Sequence, residues 1–256
     1  MDRTLCHALH NHIIIGLLIL DLVYELTNIL LFLRNDYYNN PWSASPRFYL
    51  FWVFFDYARY PLQITLFTLA TVERHIVIFY DKWIATRKRH FLIHCLSPCI
   101  ITIYYFVYYS IVYFSIHCET PFNSFSFGGI YIPCAFDRTV LAHWELMFHQ
   151  VTPTLLIMFG CMSLFVRVML QKTRARQQIE WRKHRKMILQ VLTISSVYIA
   201  FNLPWIGEIF PYEFGLLSQL VAVGLTVSRF IIYNIIFFCP FVCFLSFPEL
   251  RTKFTE

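Results

Sequence analysis

Residues 48–72 read FYLFWVFFDYARYPLQITLFTLATV, twenty-five residues with one acid (Asp56), one base (Arg59) and one proline (Pro61). A helix needs about 20 largely apolar residues to cross a bilayer, and lipid admits only helices or closed barrels. Working outward, five further runs have the same character: Leu9–Leu33, Phe91–Ile116, Phe148–Leu170, Met187–Phe210 and Leu216–Phe247. Alternating ten-residue strands, which would signal a barrel, are absent. The pattern therefore predicts an all-α, polytopic membrane helix bundle of six spans, one domain over residues 1–256. Composition agrees. The chain is 58% hydrophobic and 14% charged, whereas a soluble domain carries about 25% charged residues to cover its surface. Seven glycines and eleven prolines exclude collagen-like and low-complexity chains.

The formal charge of +6 points away from nucleic acid once its distribution is read. Lys82, Arg87, Lys88 and Arg89 lie in Asp81–His90; seven bases lie in Gln171–Lys186; Arg251 and Lys253 end the chain. The alternate joints hold only Arg34 and Arg47, then Arg138, then none. The positive-inside rule puts the basic groups in the cytoplasm, which makes both termini cytoplasmic and the protein a multi-pass plasma-membrane one. Trp42, Trp144, Trp205 and Tyr37–Tyr38 fall near the outer ends of spans, as an interfacial aromatic belt would. Cys118 and Cys134 share a long outer loop, where the environment is oxidising; a disulfide between them is expected, two free thiols being the alternative. The stretch Arg174–Lys186, RARQQIEWRKHRK, continues a helix beyond the bilayer. Its cationic face suits anionic membrane lipid or a protein partner.

Ionisable residues inside spans are costly, and each is a candidate functional residue. Asp21, Glu25 and Asn28 share one helix face by their i, i+4, i+7 spacing, as either a structural carboxylate with its neighbours or an ion or proton site. Asp56, Arg59, Glu208 and Arg229 lie in the outer parts of three spans, which suggests a partly solvated cavity for a ligand. A local Asp56–Arg59 pair with Arg229 snorkelling outward is the plainer reading. Across such a cavity Asp56 and Arg229 are expected to pair. Pro153, Pro204 and Pro240 interrupt three spans and permit bends, and Glu73-Arg74-His75 closes the second run. His7, His10 and His12 make a poor metal site. Neither a catalytic constellation nor a cofactor is expected.

Together these residues resemble the rhodopsin-like family of G protein-coupled receptors. LFTLATVERHIVIF looks like that family's third helix, with Glu73-Arg74-His75 as its Asp/Glu-Arg-Tyr motif. Asn11-His12 followed by LLILDL looks like the second helix, which makes Asp21 similar to the sodium-site aspartate. Phe201-Asn202-Leu203-Pro204 stands where the sixth helix has Cys-Trp-x-Pro, Pro153 matches the fifth-helix proline, and Cys239-Pro240-Phe241-Val242-Cys243 replaces Asn-Pro-x-x-Tyr. Residues 247–254 resemble the amphipathic eighth helix. The family's third-helix cysteine falls at Tyr49, so the pairing expected here is Cys118 with Cys134. The resemblance, to a divergent invertebrate orphan, implies a seven-helix fold without its first helix, as a truncated isoform or incomplete gene model would give. It also implies activation through Glu73, Arg74, His75, Asn202, Pro204 and Pro240, and a heterotrimeric G protein as partner. The extracellular ligand would be a peptide or small molecule. Phe122, Phe125, Phe127 and Tyr131 in the outer loop, with mixed charge, favour a peptide over an amine. The competing function is a six-span transporter or channel using Asp21, Glu25 and Asp56.

Overall fold

The computed structural model describes residues 12–29, 46–79, 91–115, 139–172 and 178–214, with positions 224, 227, 228, 231, 232, 234, 235, 238, 241 and 242 of the last run. Every described residue but Phe214 is helical, so the chain is all-α across them. Helix α1 spans His12–Tyr24 and passes into a π-helical turn at Glu25–Ile29. Helix α2 runs unbroken over Pro46–Phe79, through Pro61. Helix α3 covers Ser97–Ser110 between π-helical turns at Leu92–Leu96 and Ile111–Ser115. Helix α4, Thr139–Trp144, continues through π-helical Glu145–Val151 into α5, Thr152–Lys172. Helix α6 extends over Gln178–Glu213 and contains Pro204 and Pro211.

Two π-helical turns sit immediately ahead of a proline. Pro98 and Pro153 have no N–H to donate and their rings crowd the preceding turn. The chain widens there: Leu92 O and Met147 O accept from the N–H groups five residues on, at Ser97 and Thr152, and the hydroxyls of the same two residues add a second bond, at 3.0 and 2.7 Å. Pro153 thus alters its helix as the sequence suggests, while α6 runs on through Pro204.

Helix α2 is the hub. It packs against α1, α3, α5, α6 and the π-helical turn before α5. Its faces divide the work. Ile64, Leu66, Phe67 and Ala70 join Ile13, Ile14 and Leu17 of α1, Ile157 of α5 and Ile194 and Tyr198 of α6 in the main core, where the Phe67 and Tyr198 rings stack 4.2 Å apart. Phe54 meets Tyr105, Tyr109, Val112 and Tyr113 in a second, aromatic cluster. The α2–α5 contact is tight because residue 160 is glycine: a Cβ there would lie 3.0 Å from Thr71 Cγ2.

The distribution of polarity is inverted relative to a water-soluble domain. Asp21, Asp56, Arg59, Gln63, Glu73, Arg74, His94, Glu145 and His149 are buried, whereas Ile100, Ile103, Phe106, Val107, Phe159, Met162 and Phe165 are exposed. An apolar rim around a polar interior is the arrangement a hydrocarbon solvent demands. Among the described residues, two segments are long and apolar enough to cross a membrane, Leu92–Ser115 and Thr139–Val166.

Several boundaries move. The helix expected over Phe148–Leu170 starts at Thr139, since Glu145 and His149 point inward and do not end it. The second run continues past Val72 through Glu73-Arg74-His75, and the fifth begins nine residues before Met187, so Gln178–Lys186 is helical as expected. Of the six expected spans, the third and fourth are the ones long and apolar enough among the described residues, and the last run is described only at scattered positions. Trp205 differs from the exposed ring an aromatic belt would present: it is buried within the bundle. Trp144 is exposed and stacks on Phe148. Trp42, Tyr37, Tyr38, Cys118, Cys134, Arg229, Pro240 and residues 247–254 lie outside the described residues, as do His7, His10, Phe122, Phe125, Phe127 and Tyr131. The described Cys95, Cys99 and Cys161 are free thiols.

Candidate functional site

Among the described residues, three polar clusters are built into the bundle. The first joins α1, α2 and α6. Arg59 and Gln63 are four residues apart on α2, so they stack on one face. Opposite them stands Asp21, with 0% exposure. Arg59 Nη1 donates to Asp21 Oδ1 at 3.0 Å and to Gln63 Oε1 at 2.8 Å. Gln63 Nε2 donates to Asp21 Oδ2 and to the Tyr198 hydroxyl, both at 3.0 Å. The Tyr24 ring lies under the guanidinium, 4.0 Å from Cζ, and its hydroxyl donates to Asp56. A buried carboxylate is tolerable when paired and hydrogen-bonded in this way.

Of the expected residues, Asp21, Asp56 and Arg59 therefore meet in one network, with α1 brought in through Tyr24. Arg59 pairs with Asp21 of α1, an ion pair that spans two helices. The supposed α1 face of Asp21, Glu25 and Asn28 is changed by the π-helical turn that begins at Glu25. Asp21 is fully buried, while Glu25 is half-buried with Oε1 unbonded. The side chain of Asn28 lies outside the described set. Asn202 is buried and bound from both sides: it accepts from the Tyr60 hydroxyl and donates to Tyr198 O at 2.7 Å. Glu208, half-buried, accepts from Ser228 at 2.7 Å. Its carboxylate rests against Gly224, where a Cβ would meet Oε1 at 2.8 Å.

The second cluster was not foreseen. Glu145 and His149, four residues apart, are both buried; His149 Nδ1 lies 2.7 Å from Glu145 Oε2. Tyr109 donates to Glu145, and the Tyr104 hydroxyl lies 2.9 Å from His149 Nε2. The Tyr105, Tyr108 and Tyr109 rings surround the imidazole as well. Tyr105 reaches Thr65 of α2 at 2.6 Å, and Trp205 of α6 donates to Gln150 at 2.8 Å. The i, i+4 spacing of Glu145 and His149, facing Tyr104, Tyr105, Tyr108 and Tyr109, was the legible signal.

The third cluster lies toward the Phe79 end of α2. Glu73 turns to His94 of the turn before α3, its carboxylate against the ring Nδ1. Arg74 is buried beside it, and His75 Nδ1 lies 3.2 Å from Thr71 O. Between the first and third clusters, Thr68 and Thr71 satisfy their own helix by bonding Ile64 O and Phe67 O. The other side chains of α2 buried between the two clusters, Ile64, Leu66, Phe67 and Ala70, are apolar.

No protein-family model matches the chain, and no curated protein matches it.

Proposed function

We propose that the chain is a ligand-activated, G protein-coupled receptor of the rhodopsin-like kind, a seven-helix fold represented here by six spans in the plasma membrane. The observation that carries this reading is the construction of α2. One rigid helix holds Asp56 and Arg59 near one end and Glu73-Arg74 near the other, each inside a buried cluster shared with other helices. About 27 Å separates Asp56 from Arg74 along the axis. A change of packing at one cluster is thereby communicated to the other without any chemistry.

In this reading the lysine- and arginine-rich joints face the cytoplasm, with both termini, and an extracellular ligand enters at the Asp56 end. Asp56, Arg59, Glu208 and Arg229 contact it, Asp56 and Arg229 pairing in its absence. A peptide fits the mixed charge and aromatic outer loop better than an amine. Arg74, Glu73, His75, Asn202, Pro204 and Pro240 form the switch toward a heterotrimeric G protein, and Cys118–Cys134 bridges the outer loop. The transporter reading fares worse because most of the buried residues below the Asp56 cluster are apolar, Ile64, Leu66, Phe67 and Ala70 among them, and the Thr68 and Thr71 hydroxyls there are bonded to their own helix, whereas a conducting path would need a run of ionisable or freely polar groups.

The test is guanine-nucleotide exchange on co-reconstituted heterotrimeric G proteins. Exchange above the protein-free baseline, raised by Glu73→Gln and abolished by Arg74→Ala, is expected. Exchange indifferent to Arg74, with ion flux through the same vesicles, would favour the transporter.

A further inference from the structure

The hydrogen bonds around Glu145 and His149 stay complete whether or not the imidazole carries an extra proton. Both side chains are buried, so their polar atoms must find partners within the protein. Glu145 accepts from Tyr109 through Oε1, and its Oε2 lies 2.7 Å from His149 Nδ1. An ionised carboxylate can only accept, so Nδ1 carries a hydrogen. That leaves Nε2, which lies 2.9 Å from the Tyr104 hydroxyl. A hydroxyl donates or accepts by rotating its hydrogen. With Nε2 bare, Tyr104 donates to it; with Nε2 protonated, the ring donates and Tyr104 accepts. No heavy atom has to move between the two states. A backbone carbonyl or N–H in the place of Tyr104 would admit only one of them. The Tyr104, Tyr105 and Tyr108 rings stand 5.7, 5.0 and 4.7 Å from the imidazole, within the reach of about 6 Å at which an aromatic ring meets a cation. Glu145 balances the charge of the loaded ring.

We infer that Glu145 and His149 together form a proton-binding site at the seam between α3 and the π-helical turn ahead of α5, and that loading it reverses the hydrogen bond with Tyr104. A hydronium ion gives its proton to the Nε2 lone pair and leaves as water. The pair passes from one negative charge to none, and the Tyr104 hydrogen swings away while its oxygen accepts. The titratable groups facing the pair are Tyr104, Tyr105, Tyr108 and Tyr109 of α3, with Tyr57 of α2 behind them against Tyr109. From α6 comes Trp205, bonded to the adjacent Gln150. The pair therefore titrates as a unit inside a shell of hydroxyls. This inference rests on these side chains and stands apart from the receptor reading.

The experiment is nitrogen NMR of the full chain in lipid nanodiscs, carrying isotope-labelled histidine, across the pH range in which its helical circular dichroism is retained. His149→Gln assigns the His149 signals. On acidification Nε2 should pass from the unprotonated to the protonated shift in one step, while Nδ1 keeps its hydrogen throughout. In the infrared, the C–O stretch of the Tyr104 phenol, assigned by Tyr104→Phe, should move from its donor to its acceptor position with the same midpoint. Glu145→Gln leaves the loaded ring an uncompensated buried cation, so the step should vanish. An Nε2 signal that never changes, an Nδ1 that loses its hydrogen, or a Tyr104 band indifferent to the step would each overturn the inference. Should His149→Gln not fold, the Tyr104 band, which needs no histidine variant, decides alone. A donor-to-acceptor change on acidification supports the proton site, and its absence overturns it.

Discussion

Gly160 of α5 offers a quantitative test of how α2 and α5 fit together. In a helix interior, replacing glycine by alanine ordinarily gains about 1 kcal/mol through reduced backbone entropy. Here the added Cβ would sit 3.0 Å from Thr71 Cγ2 and 3.6 Å from His75 Cε1. Thr71 cannot turn away, because its hydroxyl is bonded to Phe67 O at 3.0 Å and its side chain is 2% exposed. Overpacking of this kind costs about 1–3 kcal/mol. Gly160→Ala should therefore be neutral to destabilising by about 2 kcal/mol once the propensity gain of about 1 kcal/mol is subtracted. Thr71→Ser removes Cγ2 and keeps the hydroxyl, so in that background Gly160→Ala should become stabilising by about 1 kcal/mol. The assay is thermal unfolding in nanodiscs, where about 2–4 °C corresponds to each kcal/mol. If Gly160→Ala stabilised both backgrounds equally, the close α2–α5 approach would be refuted.

Three further outcomes are expected from the polar clusters. Glu145→Gln removes the charge facing His149 and should lower stability by about 1.5–3 kcal/mol; strict additivity with His149→Gln in a double-mutant cycle would mean the pair does not form. Trp205→Phe strands Gln150 Oε1 and should cost about 1–3 kcal/mol, with Gln150→Leu restoring much of it; a harmless Trp205→Phe in thermal unfolding would return the residue to an interfacial role. Gly224→Ala must displace the Glu208 carboxylate, so its effect and that of Ser228→Ala should overlap and not sum, unfolding temperatures of the two variants and their combination giving the comparison.

Much of the helical layout was legible because it rests on composition. A run such as residues 48–72 has no alternative in lipid, and Asp56, Arg59 and Asp21 stood out as charges where charge is costly. Partners were not legible. Asp56 and Arg59, three residues apart, look like a local pair, yet Arg59 bonds Asp21, thirty-eight residues away. Nothing in local spacing encodes how α1 rotates against α2. Glu145 and His149 were missed for the same reason in reverse: two polar residues at the edge of an apolar run read as its end, although paired and turned inward they continue the helix. Trp205 resembled a belt residue by its place near a span's end. Its partner Gln150 lies on another helix, and only packing reveals the bond.

The central claim is that the Asp56 cluster and the Arg74 end of α2 report on each other. The most direct measurement is a distance between spin labels at the Phe79 end of α2 and the Gln178 end of α6, placed by Phe79→Cys and Gln178→Cys after the reactive native cysteines are replaced. Asp56→Asn weakens the contact with Tyr24 and should shift the populations of two label separations, leaving the two distances themselves in place. A single distance distribution, identical with and without Asp56→Asn, would contradict the account.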